Sequence, residues 1–332
     1  VLGGILGMCL MTSANHLLMV FLAVEMASVP SYVLAGLLRS RRESSEAALK
    51  YSIYGAGAAG VMLYGISLLA GVLNTAHLPT LAAELAARLP TLPTQQVMVL
   101  ALGGLMVMVG LAFKLSAVPF HFWCPDVFEG ATAEVNAFLS VASKAAALAL
   151  LVRVAIGFGM VPSGTGQAEP ANVAAAGQTA GGLFAVADQA HQQHTAAQQQ
   201  PHAAAEEPPA GQQAAIKALS PVRQFIALVV AVIAAITCTF GNRAAYGQTN
   251  IKRLMAYSTM AHAGYMMMPI PAAMALAGVD AVAAQRAVAA LALYIGVYLF
   301  MNLGAFAIVA FLRNAMGSEQ IADYSGLVRR AP

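Results

Sequence analysis

Two lysines stand where lysines are costly. The stretch 113–144 reads FKLSAVPFHFWCPDVFEGATAEVNAFLSVASK, and it places Lys114 and Lys144 inside segments apolar enough to lie in a membrane. A lysine near a bilayer midplane costs about 3 kcal/mol on insertion scales, so its presence there calls for a function. Low-dielectric surroundings disfavour the charged form of a lysine, and a nearby carboxylate restores it. A lysine and a carboxylate at membrane depth therefore make a switchable proton store. Glu25 supplies such a carboxylate inside another apolar run. Glu25, Lys114 and Lys144 are the primary candidates for proton carriage, and His262, Lys50 and His121 are secondary ones. Each secondary candidate keeps a structural reading beside the functional one. Lys50 could snorkel to headgroups, His121 could anchor at the interface with Trp123, and His262 could be a hydrogen-bonded packing residue.

Other chemistry finds no footing. There is no phosphate loop, no setting for a serine nucleophile and no metal-ligand spacing. Cys9, Cys124 and Cys238 lie far apart, which suits neither a disulfide framework nor an iron–sulfur cluster. His191, His194 and His202 carry a metal-binding reading, against which stands their Gln-rich setting. The net charge of +3 comes from short basic clusters and gives no nucleic-acid footprint. The sequence points to holding and passing protons rather than to making bonds.

Pro119 marks the element that must position Lys114. Within a helix its ring would displace the hydrogen bond to the carbonyl of Leu115 and free backbone groups beside the lysine. Broken helices at membrane depth are places where water enters. The expectation is a span over 97–122 interrupted at Pro119, then a polar turn over 123–130 carrying Asp126 and Glu129.

The bulk composition fits that setting. The chain is 59% hydrophobic and 9% charged, against about 25% charged in a soluble domain. The reading is an all-α membrane protein. The pattern predicts eight membrane helices, at about 1–12, 17–38, 44–72, 97–122, 132–160, 221–241, 251–274 and 284–312. Ser44 or Ser45 is expected to cap the third. Gly55, Gly57, Gly60 and Gly65 are expected to let it approach its neighbours. An amphipathic piece, LPTLAAELAARLPTL, lies in the loop 73–96. Residues 162–215, rich in Ala, Gln, His and Pro, read as a disordered loop. The first residue is Val1, already in an apolar run, and the expectation is a piece of a longer protein.

Basic residues set the orientation. Arg39, Arg41, Arg42, Lys50, Arg243, Lys252, Arg253, Arg313, Arg329 and Arg330 fall on one side, which is expected to face the cytoplasm or an organelle matrix. Only Arg88, Arg153, Lys217, Arg223 and Arg286 fall on the other.

At these residues the chain resembles a known family. FKLSAVPFHFWCPDVFEGA followed by FLSVASKAAALALLVR is similar to the subunit N family of NADH-quinone oxidoreductase, respiratory complex I. SANHLLMVFLAVEMASVPSYVLAG, SSEAALKYSIYGAGAAGVMLYGISLLAG, NIKRLMAYSTMAHAGYMM and YLFMNLGAFAIVAFL resemble other helices of that family. The likeness covers nearly all the chain except 162–215. Subunits L and M and the Mrp-type cation antiporters share the Lys-x-x-x-x-Pro-x-His arrangement but usually differ in the turn after it.

The resemblance implies helices four to eleven of a fourteen-helix antiporter-like subunit built on inverted five-helix repeats. Residues 1–161 would be the first repeat, 216–313 a part of the second, and 314–332 a polar tail. Glu25, Lys114 and Lys144 would be the glutamate of helix five and the lysines of helices seven and eight, with Lys50 and His262 on the same polar axis. Thr132-Ala133-Glu134 departs from the prolines the family often carries there, and the lysine of helix twelve would lie beyond Pro332. The implied function is proton translocation coupled to quinone reduction elsewhere in the complex. NAD, FMN, iron–sulfur clusters and quinone would belong to partner subunits, with no cofactor on this chain. The implied partners are the other complex I subunits and the lipid bilayer. The setting would be a bacterial inner (plasma) membrane, or the mitochondrial inner membrane in an organelle. Two other readings stay open, an Mrp-type cation/proton antiporter subunit and a purely structural membrane scaffold.

Overall fold

A computed structural model describes residues 1–38, 40–161 and 210–327. The histidines at 191, 194 and 202, and most of the stretch 162–215, lie outside the described residues. The helices in chain order are α1 (Leu2–Ser13), α2 (Leu17–Ala35), α3 (Arg42–Leu73), α4 (Leu78–Arg88), α5 (Thr94–Leu115), α6 (Trp123–Gly130) and α7 (Ala133–Phe138). A π-helical turn, Leu139–Ser143, then leads into α8 (Lys144–Gly159). After it come α9 (Ala210–Ala218), α10 (Ser220–Ala245), α11 (Ile251–Met267), α12 (Pro269–Leu276) and α13 (Ala281–Met316). Residues 210–215, read from sequence as the end of a disordered loop, are thus helical.

Among the described residues, six helices are long and apolar enough to cross a membrane: α2, α3, α5, the continuous run Ala133–Gly159, α10 and α13. The expected spans at 1–12 and 251–274 are shorter. α1 has 12 residues, about 18 Å of rise, against a hydrocarbon core of about 30 Å. The second is divided between α11 and α12 at Pro269, which has no N–H to continue the ladder.

The surface confirms the solvent. Leu22, Val33, Ile53, Leu102, Leu228, Leu293, Phe300 and Phe311 all point outward, while Lys114, Lys144, Lys252, Asn302 and Thr259 are buried. Apolar outside and polar inside is the pattern of a chain whose exterior meets lipid.

Two cores fill the bundle. One runs through Met11, Leu17, Met62, Leu73, Leu148 and Met267. Its satellite α4 buries Leu78, Leu81, Ala82 and Leu85, so the amphipathic piece packs its apolar face inward. The other core gathers Tyr51, Phe113, Trp123, Phe128 and Phe306. Here Trp123 stacks on Tyr51 with centroids 4.2 Å apart.

Four local expectations are corrected. Ser44 does not cap α3; Arg41 is at the N-cap, and the Ser44 hydroxyl donates to the Ala35 carbonyl at 2.9 Å. Of the four glycines expected to let α3 approach its neighbours, only Gly55 and Gly65 face close ones, Tyr32 and Met106, while Gly57 and Gly60 look into open space. The span expected to 122 ends at Leu115, because Ser116 turns left-handed with φ 58°. Pro119 therefore lies in the connection after the break, not inside the helix. The carbonyls at the break are also taken: Ala112 accepts from the Ala117 N–H at 2.8 Å, and Phe113 from the Trp123 indole at 3.0 Å. Last, the expected polar turn 123–130 is the helix α6.

Candidate functional site

Lys114 sits in the last turn of α5 and is 1% exposed. Its ammonium donates to the Ser28 hydroxyl at 3.0 Å, and Ser28 donates onward to the Val24 carbonyl at 2.6 Å. Ser28 stands three residues after Glu25 on α2, so both share a helix face. Glu25 is half-buried and within electrostatic range of Lys114. The lysine's hydrogen bond goes to the neutral serine.

Lys144 is the first residue of α8 and is likewise 1% exposed. It donates to the Thr259 carbonyl at 2.9 Å and to the Thr259 hydroxyl at 3.1 Å. The π-turn just before it is a rare form that recurs at functional sites. That turn is tied to α13, where the Asn302 amide donates to the Ser140 hydroxyl at 2.5 Å. No carboxylate pairs with Lys144 among the described residues.

His262 lies one turn beyond Thr259 on α11. Its Nδ1 meets the Tyr294 hydroxyl at 2.8 Å, and its ring packs against Tyr298 with centroids 5.1 Å apart. His121 is buried between Phe122 and Phe240, and Trp123 is buried with it. A headgroup anchor would be exposed, so the interface reading of this pair fails. Lys50 does not simply snorkel: its ammonium lies 2.7 Å from Asp126 and 2.7 Å from Glu46.

By sequence alone Lys252 is only one more basic residue of a loop. It is fully buried in the first turn of α11. It donates to the Glu129 carbonyl at 2.6 Å and the Ala131 carbonyl at 3.0 Å, and pairs with Glu319 at 3.0 Å. Beside it Arg253 bonds Asp126 at 2.9 Å and Glu129 at 2.6 Å. The start of α11 thus grips the second half of α6, the link between the Lys114 helix and the Lys144 helix. Its neighbour Asn250 caps α11, a position where an ordinary solvated lysine would also be expected. Nothing local marks Lys252, because its partners come from residues far away in the chain.

The arrangement is two buried ammonium sites on different helices, one beside Glu25 and one beside His262, in the same bundle. Neutral oxygens hold both. It can store and release protons; among the described residues it presents no nucleophile poised beside a base.

Comparison with known proteins gives the same direction. A family described as "NADH:quinone oxidoreductase/Mrp antiporter, TM" matches residues 14–187 and 212–332. NADH-quinone oxidoreductase subunit N of Anaeromyxobacter sp. (strain Fw109-5) is 39% identical over 99% of this chain and 53% of the relative. Subunit N 2 of Sorangium cellulosum (strain So ce56) is 37% identical over 98% of this chain and 52% of the relative. The chain therefore spans about half the length of the curated relatives it matches. Among solved structures, a chain of respiratory complex I from Thermus thermophilus with bound aureothin superposes with a TM-score of 0.59 at 29% identity, over 93% of this chain and 50% of that one.

Proposed function

The chain belongs to the NADH:quinone oxidoreductase/Mrp antiporter transmembrane family, and on that footing we propose that it is a proton-translocating membrane subunit of an NADH-quinone oxidoreductase. The observation that carries the reading is the pair of buried lysines. An isolated buried charge is strongly disfavoured unless it is paired or can be given up. Lys114 and Lys144 have neutral acceptors, Ser28 and Thr259, which serve the ammonium and the neutral amine alike. Each lysine can thus hold a proton or pass it on, and Glu25 biases the first. His262 and the ion-paired Lys50 are assigned secondary roles on the same path, with His121 beside the break after α5.

The curated relatives named subunit N favour complex I over an Mrp-type antiporter subunit. In this reading the chain works with the other complex I subunits in a bacterial plasma membrane. NADH, FMN, iron–sulfur clusters and quinone act on those partners. The finer architecture proposed is eight membrane-embedded helical segments: the six long helices, α1, and α11 with α12. Residues 1–161 would form one antiporter-like repeat and 216–313 part of its inverted counterpart.

Lys114→Ala in the complete complex, reconstituted into vesicles, tests the reading. Proton uptake driven by NADH oxidation is expected to fall at least tenfold while the complex still assembles. Uptake at the parent rate would overturn it.

A further inference from the structure

A groove runs between α5 and α10, with the buried Leu151 and Ala155 of α8 as its floor and Leu85 and Leu89 of α4 at one end. Its volume is about 240 Å³, and every residue that lines it is apolar. Small side chains make the space: Gly104 lines it, and a Cβ there would meet nothing within 4 Å. Protein interiors are close-packed, and their few voids are rarely larger than a water molecule. Water does not settle in an apolar space, since it needs two to four polar partners. Apolar cavities of about 150 Å³ stay dry and take up apolar molecules instead.

The depth of the groove narrows what fits. On α5 it runs from Val97 to Met108 and on α10 from Pro221 to Val230, about 17 Å and about 14 Å of helix rise. One leaflet of a hydrocarbon core is about 15 Å deep, half of about 30 Å. α3 begins at the ion-paired end with Lys50 and reaches the groove only at its far end, through Leu69 and Leu73. Deeper in, the two walls are tied: the Val118 N–H, just after α5, donates to the Thr237 hydroxyl of α10 at 3.0 Å. A neighbouring transmembrane helix would need the whole core, whereas an acyl chain of one leaflet needs half. The cations Arg88 on α4 and Lys217 before α10 stand at the same polar end, the level at which a lipid phosphate lies.

We infer that this groove holds one acyl chain of a phospholipid from the leaflet opposite the ion-paired end, with the phosphate toward Arg88 and Lys217. The bilayer that the chain leaves is as apolar as the groove, so escape from water contributes nothing. What it gains is van der Waals contact with close, fixed walls. Seated there, it fills the space between α5, which carries Lys114, and α8, which carries Lys144, and it sets the distance of α10 from both. The inference does not depend on proton translocation.

The experiment uses the complete complex, reconstituted with a phosphatidylglycerol that bears a photoactivatable diazirine along one acyl chain. The complex is extracted into detergent, washed free of bulk lipid and then irradiated. Crosslinks are expected on α5 between Val97 and Met108 and on α10 between Pro221 and Val230. Gly104→Leu fills the groove from α5 and is expected to lower those crosslinks at least fivefold, with the unfolding temperature at or above that of the parent. Val229→Phe fills it from α10 and is expected to do the same, and the washed parent decides alone if neither variant assembles. Absence of these crosslinks in the washed parent, the result a neighbouring protein helix seated in the groove would give, overturns the inference. Parent-level crosslinking in an assembled filled variant overturns it as well. So does labelling of the groove by a diazirine-bearing quinone and not by the phospholipid.

Discussion

Lys144 rests its ammonium on both oxygens of one residue, the carbonyl of Thr259 at 2.9 Å and its hydroxyl at 3.1 Å. The same helix, α11, grips α6 through Lys252 and Arg253. One helix thus holds the second lysine and the link that joins it to the first.

Neutral acceptors leave room for a lysine to lose its proton, and arginine cannot copy that. A guanidinium stays protonated across the physiological range. Lys114→Arg and Lys144→Arg are therefore expected to pump no better than the alanine variants, at least tenfold below the parent, though positive charge is kept. Vesicle proton uptake measures this. Normal uptake by either arginine variant would assign that lysine a fixed charge only.

Close helix approach separates glycines that matter from those that do not. A Cβ on Gly264 of α11 would lie 2.6 Å from the Cys238 nitrogen and 2.9 Å from the Ala234 carbonyl oxygen of α10. Neither backbone atom can yield without moving a helix. Gly264→Ala is expected to cost about 1–3 kcal/mol and to lower the unfolding temperature in detergent. Gly60→Ala meets nothing within 4 Å and should be neutral or slightly stabilising, as alanine favours a helix by about 1 kcal/mol. Equal effects of the two would show that the α10–α11 crossing is softer than the structure has it.

These glycines also show what the sequence could carry. Small residues in an apolar run announce close packing, but only the azimuth decides which ones face a neighbour, and that separates Gly55 and Gly65 from Gly57 and Gly60. Lys114, Lys144 and Glu25 were legible because an ionisable group in an apolar run is anomalous by itself. Lys252 was not, because it follows a polar loop and is buried by Glu129, Ala131 and Glu319. The helix break was legible, but its site was not. Pro119 drew attention to itself, whereas the turn is made by Ser116 in a left-handed conformation that serine seldom adopts.

Orientation is testable from the ends of the described helices. Ion pairs bring Arg41, Lys50, Lys252, Arg253 and Arg313 together with Glu319, Asp126 and Glu129 at one end of the bundle. These are residues that the charge bias assigns to the cytoplasmic side. In a Cys9→Ser background, Ser325→Cys is expected to react with a membrane-impermeant maleimide only from that side. Thr91→Cys, exposed in the connection before α5, is expected to react only from the other. Labelling of both from one side would reverse the assignment of one of the two connections.

Glu319 serves three cations, Arg41, Lys252 and Arg313, and the unequal burial of the last two predicts unequal costs. Its carboxylate meets Lys252 at 3.0 Å, where the lysine is 0% exposed, and Arg313 at 2.9 Å, where the arginine is 31% exposed. Its backbone is held as well, with the Ile251 N–H donating to the Glu319 carbonyl at 3.0 Å. Glu319→Gln keeps the shape but leaves Lys252 buried without a counter-charge, a change that costs about 3 kcal/mol in comparable buried pairs. Arg313→Gln leaves the carboxylate still paired with Lys252, and a half-exposed pair contributes about 1 kcal/mol or less. The expected result is a fall of several degrees in unfolding temperature for Glu319→Gln and little change for Arg313→Gln. Amide exchange should rise in the first turn of α11 for the glutamine variant of Glu319, where Lys252 and Arg253 hold α6. Equal, small shifts for both variants would mean that the two backbone carbonyls on Lys252 suffice to hold it, and that the ion pair adds nothing to the grip of α11 on α6.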